Sequence, residues 1–170
     1  GVAVGTAVAD ASGNFTFTTP PLADGSHSFT STATDAAGNT SPMSAPATIT
    51  IDTLPPAIPS ITGIGQDTGV PGDGLTSDNT LTVSGKAEPG STVTIYDNGV
   101  AIGTAVADAS GNFTFTTSPL ADGPHQFVAT ATDASGNTSQ PSGPANMSVD
   151  TTPPSAPVIT GLGTDTGVPG

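Results

Sequence analysis

The sequence repeats itself. Setting Gly1 on Gly99 aligns residues 1–72 with residues 99–170 without a gap, and 52 of the 72 pairs are identical. GTAVADASGNFTFTT stands at 5–19 and again at 103–117, LADG at 22–25 and 120–123, and TATD at 32–35 and 130–133. A period of about 98 residues is longer than a propeller blade or a β-helix coil, so each copy has to be a domain with its own core. The missing gaps mean that loop lengths are held as well as core positions.

The junction between copies reads Asp52-Thr53-Leu54-Pro55-Pro56 and recurs as Asp150-Thr151-Thr152-Pro153-Pro154. Paired prolines make a short, extended, stiff connector. The chain then divides into residues 1–52, the second half of a repeat, residues 53–151, a complete repeat, and residues 152–170, the opening strand of the next. Because it starts inside a repeat, it reads as an excerpt of a longer array. Residues 1–52 lack the first three strands of their copy and are not expected to close a core alone.

Alternation with a period of two predicts seven short strands in the complete repeat. They cover Ser60–Ile64, Thr80–Lys86, Ser91–Tyr96, Val100–Ala107, Phe113–Thr117, His125–Thr132 and Ala145–Val149. Leu81 and Val83 share a face, as do Val93 and Ile95, Phe113 and Phe115, and Phe127, Ala129 and Ala131. Asp97-Asn98-Gly99 predicts a hairpin, because Asn-Gly accepts the positive φ of a type I′ turn. No stretch has a helical period. Seven strands of this length fit a two-sheet antiparallel sandwich.

Composition bears on partners. The chain has 14 acidic residues against one Lys and no Arg, for a net charge of −13, and it has no cysteine. Glu88 and Lys86 are the only residues of their kind. A chain this acidic repels nucleic acid and anionic membrane surfaces, and it has no apolar run long enough to span a bilayer. Its natural partners are cations.

The linker DTTPP, the segment AEPGSTVTIYDNG, and the runs SGNFTFT, LADGPHQF and TATDASGNTS resemble the bacterial immunoglobulin-like repeats of giant biofilm-associated and RTX-type adhesins, which type I secretion exports. The resemblance covers the whole chain. It implies tandem immunoglobulin-like antiparallel β-sandwiches forming a stalk at the cell surface, outside the cell, with calcium stiffening the junctions. The nonapeptide calcium repeat itself is absent, since Pro71-Gly-Asp-Gly74 is a lone fragment of that kind.

Strand alternation gives a separate reason to expect Ca2+. If the first strand runs away from the preceding domain, Glu88, Asp108, Asn112, Asp133 and Asn137 gather at the near end, where the incoming linker brings Asp52. Asp67, Asp73, Asp78, Asp97, Asp122 and the outgoing Asp150 gather at the far end. Every carboxylate is expected in a turn, loop or linker. Two carboxylates ~5 Å apart repel by about 3 kcal/mol at an effective dielectric near 20, a large share of the ~5–15 kcal/mol that holds a domain together. A hard divalent cation with oxygen ligands converts that repulsion into binding, and without a cysteine or histidine cluster calcium is favoured over zinc. The expected junction site comprises Asp52, Glu88, Asp108, Asp133 and Asn112 or Asn137, with Asp150 serving the next repeat. A weaker loop site comprises Asp67, Asp73 and Asp78. The plain alternative is turn chemistry, since Asp and Asn side chains bond nearby backbone.

Catalysis has no foothold. There is no Gly-x-Ser-x-Gly elbow, and His125, recurring as His27, reads as a packing residue at a sandwich corner. Gly63-Ile-Gly65 precedes no helix, so it does not cradle phosphate. The chain is therefore read as a structural extender whose partners are adjacent repeats. The runner-up is a binding module, in which an exposed sheet face meets a glycan, ice or a neighbouring adhesin, and a third reading is lateral assembly into a matrix fibre. Thr114, Thr116, Thr130 and Thr132 face outward and are explained as solvent-facing β-formers.

Overall fold

Leu81, Val83, Val93, Ile95, Phe127, Ala129 and Ala131 are all withdrawn completely from solvent, and these inward positions organise the complete repeat. The structure, a computed structural model, describes residues 2–65, 67–161, 163 and 167. It divides into two units, Gly1–Pro55 and Pro56–Gly170.

In the second unit all seven expected strands form: β3 (Ser60–Ile64), β5 (Thr82–Lys86), β6 (Thr92–Asp97), β7 (Val100–Val106), β8 (Asn112–Thr116), β9 (Gly123–Thr132) and β10 (Ala145–Val149). An eighth, β4 (Leu75–Thr76), lies in what alternation alone leaves as a loop. One sheet has the order β4-β10-β9-β6-β7 and the other β3-β5-β8. The long strands pair antiparallel, while β4 lies parallel to β10. Parallel pairing at that edge is made by Ser148 N–H to the Gly74 carbonyl and Asp150 N–H to the Thr76 carbonyl, both at 2.8 Å. A two-residue strand shows no alternation, so its sequence carries no signal.

The inward faces of the two sheets meet in one apolar core, with Ile61, Ile64, Phe115 and Leu120 closing its margins. Gly85 lies beneath the Phe113 ring; a Cβ there would run into that ring and into the Ser60 carbonyl. Asn98 (φ 48°) and Gly99 (φ 82°) make the β6–β7 turn, both in the left-handed region that a type I′ hairpin needs. Beyond the β9–β10 pairing, Ser142 Oγ and Ser139 Oγ accept the Ala129 and Ala131 N–H groups, each at 3.0 Å. Buried backbone donors without a strand neighbour are thereby satisfied.

Among the described residues the first unit contains two strands, β1 (Gly25–Phe29) and β2 (Ala47–Ile51), paired antiparallel. Its segment 2–18 takes no strand, although it matches β7 and β8 almost residue for residue. Of residues 152–170, expected to open another repeat with a strand, those described are in no strand either. Among the described residues no strand lies beside them, and the rest of that expectation lies outside the described residues.

Candidate functional site

Turn geometry decides where most carboxylates point. Asp108 Oδ1 accepts the N–H groups of Ser110 and Asn112 at 2.8 Å, and Asn112 Nδ2 donates to Asp108 Oδ2 at 3.0 Å. Asp133 repeats the pattern with Ser135 N–H (2.8 Å), Asn137 N–H (2.9 Å) and Asn137 Nδ2 (2.9 Å). Asp10 and Asp35 do the same in the first unit with Asn14 and Asn39. In each loop a glycine at positive φ, such as Gly111 or Gly136, completes the bend. Hydrogen bonds from the asparagine side chain and backbone hold Asp108, Asp133, Asp35 and Asp10 below the usual carboxylate range.

Two of the turns expected at the near end of the second unit lie side by side. Ala87 N–H reaches the Gly111 carbonyl at 2.9 Å, which sets the Glu88 turn beside the Asp108–Asn112 turn. Thr132, just before Asp133, pairs with Thr92 on β6. Glu88 itself is exposed, and its turn is closed by Ser91 Oγ and N–H on the Glu88 carbonyl. At the far end, Asp67 accepts Gly72 N–H, Asp73 accepts Leu75 N–H, and Asp78 accepts Thr80 N–H and Oγ. Asp52 and Asp150 each accept an N–H two residues on, from Leu54 (3.1 Å) and Thr152 (3.0 Å). Among the described residues, no three carboxylate or imidazole groups converge to hold a metal ion. Within a unit, then, the residues do not fit a closed calcium site. Asp67, Asp73, Asp78, Asp108 and Asp133 each serve their own bend, and Asn112 and Asn137 turn an amide N–H2 toward their aspartates.

Two arrangements have no counterpart in the local sequence pattern. The first is a clasp on the outgoing linker. Asp122 Oδ1 accepts Thr151 N–H at 3.0 Å and Thr151 Oγ1 at 2.8 Å, while Oδ2 accepts Thr152 Oγ1 at 3.0 Å. Asp24 holds Thr53 in the same way in the first unit, at 3.1 and 3.0 Å. The Thr151 hydroxyl and amide, with the Thr152 hydroxyl, also lower the Asp122 pKa. The only sequence signal is the constant 29-residue separation in both copies, which vanishes among so many repeated pairs. The second is a departure from expectation. Asp97 is not in the turn but is the last residue of β6, on the inward face with Val93 and Ile95, and it pairs with His125 at 2.7 Å.

At the entry side, Pro56 and Pro59 are buried. The chain thus enters the sandwich at one end and, after seven long alternating strands, leaves clasped at the other.

Solved structures that this chain resembles include the fibronectin(III)-like modules of Clostridium thermocellum CbhA (18% identity, TM-score 0.47, covering 75% of this chain and 64% of that one). CopC from Methylosinus trichosporium OB3b is similar at 16% identity and a TM-score of 0.35, over 54% of this chain and 93% of that one. A 1.5-MDa bacterial ice-binding adhesin is similar at 27% identity and a TM-score of 0.37, over 73% of this chain and 41% of that one. The chain thus spans less than two thirds of the CbhA and adhesin structures. No curated protein matches it in sequence. The bacterial Ig-like domain family matches residues 1–53 and again 56–151. With that match under nearly its whole length and an all-β sandwich in its complete repeat, the chain belongs to the bacterial Ig-like domain family.

Proposed function

We propose that the chain is an extender segment of a large secreted bacterial adhesin of the biofilm-associated or RTX type, its repeats acting as spacers at the cell surface. The observation that carries this reading is the anchoring of both ends of the second unit. Buried Pro56 and Pro59 seat the entering segment, and Asp122 clasps the leaving one. A module built this way passes the chain straight through, so that tandem copies lengthen a stalk. Most of its aspartates close turns or hold the linker, which suits a spacer.

Calcium belongs to this proposal only at junctions, where ligands from two repeats would have to combine. Its support is the excess of acid over base and the collection of Glu88, Asp108 and Asp133 at the near end. Small-angle scattering of arrays of two, four and six whole repeats tests both parts. The maximum dimension should grow in equal steps of at least about 30 Å per repeat, the span of a ten-residue strand at roughly 3.3 Å per residue. A compact array that does not lengthen contradicts the extender reading. Equal dimensions in millimolar calcium and in chelator would remove calcium while leaving the extender in place.

A further inference from the structure

His125 sits at the start of the inward face of β9, only 9% exposed, with its ring stacked on Phe127 at 6.2 Å. Its Nδ1 lies 2.7 Å from Asp97 Oδ2 and its Nε2 lies 2.9 Å from the Ala121 carbonyl oxygen. Both neighbours are acceptors. A neutral imidazole has one N–H and one lone pair, so it can serve one of them and must turn a lone pair on the other. The imidazolium donates to both. Asp97 strengthens the case, because its Oδ1 is buried and accepts no hydrogen bond among the described residues.

Among the described residues the surroundings supply no other positive charge. Met147 and Ser148 of β10, Gly74 and Asn98 line the shallow groove beside the ring, and the one other titratable group there is Asp73. Asp122 follows the carbonyl that Nε2 meets and is engaged with Thr151 and Thr152. Lys86 lies at the opposite end of the sandwich, against Ser110.

We propose that folding holds His125 as an imidazolium, and that this corner is a pH-dependent fastener tying β6, β9 and the Ala121 segment together. Burial pulls the imidazole pKa down, but the hydrogen bond to Ala121 and the hydrogen bond and charge of Asp97 outweigh it, leaving it above the ordinary 6.5. A histidine raised on folding contributes stability fully below its unfolded value, and that stability is lost as pH rises through the folded value. The fastener therefore loosens on the alkaline side, opposite to the turns built on Asp108 and Asp133.

The test is an NMR titration of the full chain carrying His27→Gln, which leaves one imidazole. The ring nitrogens should show the doubly protonated form persisting above pH 6.5, and Asp97→Asn should move the midpoint down. Denaturant midpoints of the same chain should fall from about pH 6 to pH 9, with the fall reduced in Asp97→Asn and His125→Gln. A ring already neutral at pH 6.5, or an unchanged pH dependence in both variants, overturns the proposal. If Asp97→Asn does not fold, the ring titration of the parent chain decides alone.

Discussion

Residues 14–18 and 112–116 are both Asn-Phe-Thr-Phe-Thr, yet only the second copy is a strand. Phe113 is 2% exposed over Gly85, whereas Phe15 is 59% exposed. What differs is the neighbour: β8 is paired along its length by β5, and no such strand lies beside 14–18 among the described residues. The turns are different in kind. Asp10 closes its loop with the same bonds as Asp108. Ser41 Oγ accepts the Ala33 N–H and Ser44 Oγ the Ser31 N–H, just as Ser139 and Ser142 accept those of Ala131 and Ala129. Turns are properties of a few adjacent residues, and the loop stitches join residues 8 or 13 positions apart. Strands are properties of the assembled sandwich.

The sharpest way to break this contrast is to truncate the matched aromatics. Phe113→Ala should cost about 3–5 kcal/mol, the range for deleting a buried aromatic, while Phe15→Ala should leave denaturant stability close to that of the parent. Equal losses would mean that the first unit has a core the contrast denies it. Next in size is Gly85→Ala, which forces a Cβ against the Ser60 backbone and the Phe113 ring. A loss of about 1–3 kcal/mol is expected, read as a lower urea midpoint, and no loss would show that β3 and β8 are looser than the packing implies.

Smaller effects sharpen the local half of the comparison. Asp108, Asp133, Asp10 and Asp35 are all held below the ordinary 3.8 by their asparagines. A carboxylate lowered on folding contributes stability above its unfolded value and loses it as pH falls through the folded one. Stability should therefore decline below about pH 4, and Asp108→Asn should make that decline shallower. An acid limb unchanged by the substitution would mean that the loop bonds contribute nothing to it. Smallest is Asp122→Ala. It should leave the sandwich folded but speed hydrogen exchange at the Thr151 amide and raise fast backbone motion through Pro153, whereas an unchanged Thr151 amide would show that the clasp does not hold the linker.

How much of this could be read beforehand follows the same division. Alternation found every long strand of the complete repeat, and Leu81, Val83, Val93, Ile95 and Phe127 are inward as their spacing requires. Asn98-Gly99 announced its turn, and counting strand directions placed Glu88, Asp108 and Asp133 at one end. What escaped were pairings between distant residues. Asp97 and His125 are 28 residues apart, and Asp122 and Thr151 are 29 apart. No periodicity links such pairs, because they meet only when the sheets close. The two-residue β4 escaped for the opposite reason, being too short to alternate. Asp108 and Asn112 illustrate a third case: the same oxygen-rich spacing suits a metal and a tight turn, and in Asp10, Asp35, Asp108 and Asp133 alike the geometry is that of the turn.

Hydrogen exchange at the duplicated segment tests the central claim most directly. In one sample of the full chain, amides of residues 113–116 should be protected close to the limit set by global unfolding, and those of residues 15–18 should exchange at nearly free rates. Comparable protection in the two copies would contradict the account, because the strand would then be written in its own five residues rather than conferred by its neighbours.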